Sequence, residues 1–497
     1  MKKRFATTLL SAALIGSMLT TAPMAVQAED NYELVIELMT FGPVPADIEK
    51  VETAISEITS EKIGATVKFL PISVADHATK VNLLAAGGEK VDLIMSGITG
   101  DPATLYGNGV LTDLTELIDE YAPSLKEEMG DLLNACTYNG GIYAIPGVKY
   151  PGEKLNLLYN KDMAEEYGIE IPETLNGYEE WDAFFAQCKE KLPEGIYPFT
   201  LGDGSGSSTL NWDSAYDSLG DTSYLAYGVL AEVETGTELV NWYETEKYQT
   251  MLEKRHEWYE NGYVVPDSMT SGYSTLDCMG AGTCFAFQNA FKADCNEVTL
   301  GRNCGGLNLG YIPLSDAIIS GSSTCMMSWG VPVTSEQPEK AVQFMELLFS
   351  DAELANICNF GIEGEHYVKE SDRIVNYPEG KDAMSNGWGG FINWFGDNEK
   401  VYQFAPNTEE YFDQLPSYSK EEGIVSNALG YTFDNTSVKT QLAAVTSVID
   451  TMKPALECGL VSVEEELPNF IQALKDAGID EIIAENQAQF DAWLAAK

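Results

Sequence analysis

Between Tyr32 and Met95 the chain repeats strand and helix patterns in β-α-β-α-β order, and this order constrains the fold more tightly than any other feature. Tyr32 to Met39 alternates apolar and polar residues, with Leu34, Ile36 and Leu38 on one side, and predicts a strand opening into Thr40-Phe41-Gly42-Pro43. Ile48 to Ile63 has helical spacing, Ala65 to Leu70 predicts a second strand, and Ala78 to Ala86 a second helix. Val91 to Met95 follows as a short apolar strand stopped by Ser96-Gly97. Strands separated by a helix return in parallel, and the connecting helices pack on the faces of the sheet. The expected class is α/β.

A chain of 497 residues exceeds a single core, because one domain typically holds about 100 to 200 residues. Two lobes are expected. Residues 1–28 read as a signal peptide: Met1-Lys2-Lys3-Arg4 is a basic start, Phe5 to Leu19 an apolar stretch, and Val26-Gln27-Ala28 a small-residue cleavage site before Glu29. Thr7, Thr8, Ser11, Ser17, Thr20, Thr21 and Pro23 interrupt that stretch, which argues against a retained membrane anchor. The first cysteine is Cys136, so no thiol lies at the cleavage site for lipid attachment. The net charge of -48 repels nucleic acid and anionic membranes, while 44% hydrophobic residues support packed cores over disorder. The nine cysteines show no C-x2-C spacing, and His77, His256 and His366 are scattered, so buried apolar thiols are expected over a zinc site. Pairing within Cys278, Cys284, Cys295 and Cys304 stays open.

In an open α/β sheet, ligands lie beyond the carboxyl ends of the strands, where loops and helix N-termini present backbone donors. Phe41 after the first strand, and Ser96 and Asp101 after the third, are therefore binding candidates. Sugars present apolar faces rimmed by hydroxyls, and they call for aromatic platforms beside carboxylates or amides. Trp212-Asp213 follows the Gly/Ser-rich run Gly202 to Ser208, and Trp388, Phe391 and Trp394 sit in a Gly-flanked run expected to leave their rings exposed. Trp181, Trp242, Trp258 and Trp493 have helical neighbours and read as core.

Asn139-Gly140-Gly141-Ile142-Tyr143-Ala144-Ile145-Pro146, Leu157-Leu158-Tyr159-Asn160-Lys161-Asp162, and Gly168 to Thr174 leading to Glu180-Trp181 form an ordered set. Leu307 to Pro313, Trp329 to Val333 and the helix from Ser335 through Phe349 form a second. Together they resemble the extracellular solute-binding proteins of bacterial ABC importers. Asn359 to Tyr367, Gly430-Tyr431-Thr432-Phe433-Asp434 and Leu474 to Asp480 are similar to a Gram-positive branch with a C-terminal domain of unknown function. The resemblance implies a two-lobe periplasmic-binding-protein type II fold with a hinge, made of two crossovers, and an interlobe cleft. Lobe one would take residues 29–147 and 307–357, and lobe two residues 148–306 and 358–497, the family's C-terminal segment starting near 359. By position it carries over Glu153 as a hydroxyl-binding carboxylate and Phe291, at a helix start, as the ring that stacks on a sugar; Phe433, in the C-terminal segment, is a further binding candidate. Gln288-Asn289-Ala290 departs from the Asn-Gly-Pro of maltose-type members, which weakens a maltose assignment.

The expected function is capture of a small polar solute, most simply an oligosaccharide, and delivery to an ABC permease by a monomer without cofactor or metal. An oligopeptide ligand is the alternative, disfavoured by 29 cationic against 77 acidic residues. A secreted glycosidase or lyase needs two carboxyls set across one bond or a tuned base, and no local motif places them. No G-x-S-x-G, H-E-x-x-H or P-loop occurs either, so no enzyme is expected.

Overall fold

A computed structural model describes residues 31–497 except 41, 75, 98–101, 202–215, 220–225, 267–273, 294, 384 and 390–395. The strand Tyr32–Thr40 pairs in parallel with Ala65–Ser73, in register from Tyr32 opposite Ala65 to Thr40 opposite Ser73. Leu93 bridges Ile36 in parallel, so the expected order forms. The second strand runs past Pro71, which the edge position allows because the missing N–H has no neighbour to serve. Helix Ile48–Ile63 lays Val51, Ile55 and Thr59 against this sheet and ends on Gly64 in the left-handed conformation. Asp92 is buried and accepts hydrogen bonds from Tyr32 Oη (2.7 Å), the Val35 amide (2.8 Å) and Ser335 Oγ (2.6 Å), which satisfies a carboxylate that burial alone would penalise.

The returning strand Ser328–Gly330 runs antiparallel between Ile94–Met95 and Ile145–Pro146. Helices Pro338–Ser350 and Ala352–Phe360 then pack Phe344, Met345, Leu348, Leu354 and Cys358 into the core of this first lobe.

The second lobe is built on a sheet ordered Leu309–Pro313, Lys154–Asn160, Cys284–Phe291, Tyr197–Thr200. The first two junctions are antiparallel and the last is parallel. The period of two sends Leu157 to one face, with Trp181, Phe185, Trp258 and Ile312, and Leu158 to the other, with Phe287, Phe291 and Leu309. Trp181 and Trp258 stack at 5.7 Å.

Three expected boundaries are corrected. Leu309–Pro313 belongs to the second sheet, because its backbone pairs with Lys154–Asn160, so the return to lobe one comes after residue 313 instead of at 307. Residues after 357 do not all join lobe two: Cys358, Phe360, Tyr367, Trp388 and Val401 pack in the first core, since helix Ala352–Phe360 carries its apolar side straight on from the preceding helix. Tyr411 to Tyr418 then joins the second lobe, and helices Lys439–Glu457, Val463–Ala477 and Ile479–Ala496 pack on Leu219 and residues 226–252 around Trp242, Tyr243, Tyr248, Phe470 and Phe490 as a separate core.

The chain crosses between the lobes more often than the expected two times, passing also from the first core at Val401 to the second at Tyr411, and three segments pair at the junction. Glu153 and Ile318 exchange backbone hydrogen bonds (3.0 and 2.9 Å), Ile318–Ile319 pairs with Ile424–Val425, and the Gly152 amide donates to Tyr418 O (3.0 Å). A Cβ on Gly152 would lie 2.6 Å from that same oxygen, so only glycine lets the strands approach. Eight of the nine cysteines are buried, and burial pushes the Cys188 thiol up to about 12, which leaves it an inert apolar group. Among the described residues, no helix is long and apolar enough to cross a membrane.

Candidate functional site

Glu153 sits where the second-lobe sheet meets the crossing strands. Its carboxylate lies 2.8 Å from Lys292 Nζ, the two side chains being 17% and 22% exposed. Phe291, next in sequence to Lys292, is 3% exposed and lies on a strand, correcting the expected helix start. Pairing with Lys154–Tyr159 extends the strand through this residue and turns its ring into the core, edge-on to Tyr311 at 4.9 Å. Tyr311, which sequence reasoning did not single out, is 40% exposed. Its place between Gly310 and Ile312 on an edge strand is the signal that could have found it.

Ser96 is buried, not presented to a cleft. Its amide donates to Ser328 O (2.8 Å), its Oγ lies 3.0 Å from Ser328 Oγ, and a Cβ on Gly97 would fall 1.7 Å from Met326 O. The antiparallel return strand closes over the end of the third strand, so Ser96 joins a sheet seam. Trp388 is likewise corrected: it is 5% exposed, its Nε1–H donates to Cys358 O (3.2 Å), and its ring leans on Phe69 at 5.6 Å. Gly387 and Gly389 flank the ring, but the end of helix Ala352–Phe360 covers it. Phe41, Asp101, Trp212, Asp213 and Trp394 lie outside the described residues.

Asp47, Glu365 and His366 bring ligand-type atoms within 4.8 Å of one another. Lys50 already occupies the centre of this group, pairing with Asp47 (2.8 Å) and with Glu365. His366 Nδ1 accepts the Ile362 amide (2.9 Å), which places the ring proton on Nε2, facing Asp47 at 3.4 Å. Burial holds the His366 pKa below its ordinary value, and hydrogen bonds led by Lys50 hold the Asp47 and Glu365 carboxyls low. The donors are satisfied internally, so the trio ties the first helix to the 361–367 turn and does not fit a cation.

Phe433, 7% exposed and packed in the C-terminal core, also borders a cavity of ≈ 420 Å³. One wall is helix Pro102–Gly107 and the Thr137–Gly140 turn of lobe one, and the other is Gly430–Thr436 with Gln489 and Trp493 of the C-terminal unit. Tyr106 stacks on Tyr138 at 4.8 Å and accepts from Asn139 Nδ2 (2.6 Å), so the first wall is rigid. Thr432 Oγ1 donates to Thr137 O (2.7 Å) and joins the walls. Gln489 exchanges hydrogen bonds with the Asp434 backbone, both 3.0 Å. Trp493, expected in the core, is half-buried at this seam, whereas Trp181, Trp242 and Trp258 are buried as expected.

Residues 47–274 match the family of bacterial extracellular solute-binding proteins, and residues 427–495 match a domain of unknown function, DUF3502. A carbohydrate ABC transporter substrate-binding protein of Streptococcus pneumoniae serotype 4 is 25% identical over 479 residues, covering 95% of this chain and 93% of the relative. The crystal structure of the N-glycan transport solute binding protein NgtS from Streptococcus pneumoniae matches with a TM-score of 0.81 at 23% identity, over 94% of this chain and 99% of that one. Its complexes with Man5GlcNAc and Man1GlcNAc match at 0.74 and 0.75, at 23% and 22% identity, over 94% of this chain and 99% and 100% of theirs. Two sheets joined by short crossing strands thus go with a match to the bacterial extracellular solute-binding proteins over residues 47–274 and to a domain of unknown function over residues 427–495.

Proposed function

We propose that this protein is exported by its leader, captures a neutral oligosaccharide between two lobes, and delivers it unaltered, as a monomer, to the membrane subunits of an ABC importer. The observation that carries this reading is the match along nearly the whole chain to a carbohydrate ABC transporter substrate-binding protein. The architecture supports it physically. Residues 147–153, 313–328 and 418–426 form a narrow bridge between the lobe cores, and such a bridge bends at lower cost than either core deforms. A ligand touching both lobes gains its full contacts only when they close, so binding selects the closed state. A net charge of -48 gives anionic ligands no electrostatic advantage.

The test is thermal shift and calorimetry on residues 29–497 against neutral oligosaccharides, including Man1GlcNAc and Man5GlcNAc, and against tri- to hexapeptides. A ligand at about 100 times its Kd adds about 2.7 kcal/mol to the state it binds. Stabilisation by oligosaccharides with no newly released reducing ends is expected. Stabilisation by peptides alone, or turnover of the sugar, overturns the reading.

A further inference from the structure

We propose that the C-terminal unit is a second wall for ligand: together with lobe one it forms a subsite for a further sugar residue or branch of the captured oligosaccharide. This rests on the oligosaccharide reading above and assigns a role to the segment whose function is otherwise unassigned.

The cavity holding Phe433 has a volume of ≈ 420 Å³, within the range of about 300 to 1,000 Å³ usual for small-molecule sites. Its lobe-one wall is helix Pro102–Gly107 and the Thr137–Gly140 turn. Its other wall grows from a different hydrophobic core, so a molecule bound here touches two separately packed units.

The chemistry of the lining suits a neutral polyol. Tyr106, Phe433 and Trp493 supply apolar surface, and Asn435 and Thr436 supply amide and hydroxyl partners. Asp434 and Lys439 add one charge of each sign, which leaves no net attraction for an ion. Trp493 is the one tryptophan among the described residues that is not buried. Phe490 stacks on it at 5.9 Å and Lys497 Nζ lies 4.8 Å above its ring, so the indole offers an edge against which a sugar ring can rest.

Two substitutions on the full mature chain test the subsite. Gly107 lines the cavity, and a Cβ there meets nothing within 4 Å, so Gly107→Leu adds bulk starting from open space. Trp493→Ala removes wall instead. Calorimetry with Man5GlcNAc and Man1GlcNAc as probes should show each variant binding the larger sugar about three- to tenfold more weakly, the loss of one aromatic contact, with Man1GlcNAc unchanged. If Trp493→Ala lowers the melting temperature, Gly107→Leu, which removes no contact, decides alone. Unchanged Man5GlcNAc affinity in folded Gly107→Leu, or equal weakening of both sugars, overturns the subsite while leaving the interlobe reading intact. Failure of the wild-type protein to bind any neutral oligosaccharide overturns both.

Discussion

Trp388→Ala separates a core residue from a binding platform. The indole is 5% exposed, packs on Phe69, and gives its N–H to Cys358 O, one of the last four carbonyls of helix Ala352–Phe360, which have no partner inside the helix. Truncating a buried Trp to Ala costs about 3 to 5 kcal/mol through lost burial and the cavity left behind. The unpaired carbonyl adds about 1 kcal/mol where water cannot reach it. Little collapse is available to offset this, because Gly361, at φ 78, already brings its Cβ position within 3.0 Å of the indole. The expected loss is about 4 kcal/mol, confined to lobe one. Urea unfolding followed by circular dichroism should show the earliest transition moving to lower denaturant, and amide exchange in residues 352–360 should accelerate by about two to three orders of magnitude. Oligosaccharide affinity, measured below the transition, should stay at the wild-type value. A variant with unchanged unfolding and lost affinity would refute the burial argument and restore the ring to the cleft.

Gly152→Ala forces a Cβ to within 2.6 Å of Tyr418 O, so the crossing strands must part at a cost of about 2 kcal/mol or more, read as a lower melting temperature; an unchanged melt would mean the bridge is looser than its hydrogen bonds indicate. Glu153→Ala leaves the partly buried Lys292 ammonium without its carboxylate and should destabilise by about 1 kcal/mol, and pairing it with Lys292→Met should recover part of the loss, whereas additive effects in a double-mutant cycle would show that the pair is not coupled. His366 is held below the ordinary imidazole pKa of about 6.5 by burial, against Asp47 and Glu365, which raise it, and with Lys381, which lowers it further. An unfolded imidazole takes up a proton that the folded one resists, so this site's stability is fully present above pH about 6.5 and is lost as pH falls through the depressed folded value. His366→Gln should flatten that part of the stability profile, and an unchanged slope between pH 7 and 5 would place the titration elsewhere.

Local pattern carried far in the first lobe. The alternation of Leu34, Ile36 and Leu38 and the helical spacing of Val51 and Ile55 each report a face that must be covered, and both are buried as the pattern requires. The adjacent Leu157 and Leu158 behave the same way, feeding opposite faces of the second sheet because the side-chain period is two. Exposure was less legible. Glycines beside Trp388 remove neighbouring side chains, but whether the ring is bare depends on a helix end about 30 residues earlier that folds back over it. Ser96 ends a strand, as a ligand loop should, yet the backbone of Ser328 seals it.

The residues alone determined that this chain is α/β, that it divides into more than one core, and that it resembles solute binders, because strand and helix periods and ordered motifs are properties of neighbours in sequence. Partner choice is a property of neighbours in space. Only the tertiary structure decided that Leu309–Pro313 pairs with Lys154–Asn160, that three segments pair at the junction of the lobes, and that Phe433 meets Tyr106 and Trp493 around one cavity. Each of these unites segments with separate local codes, and the free energy that selects them lies in surface buried between those segments, which no stretch of sequence contains by itself.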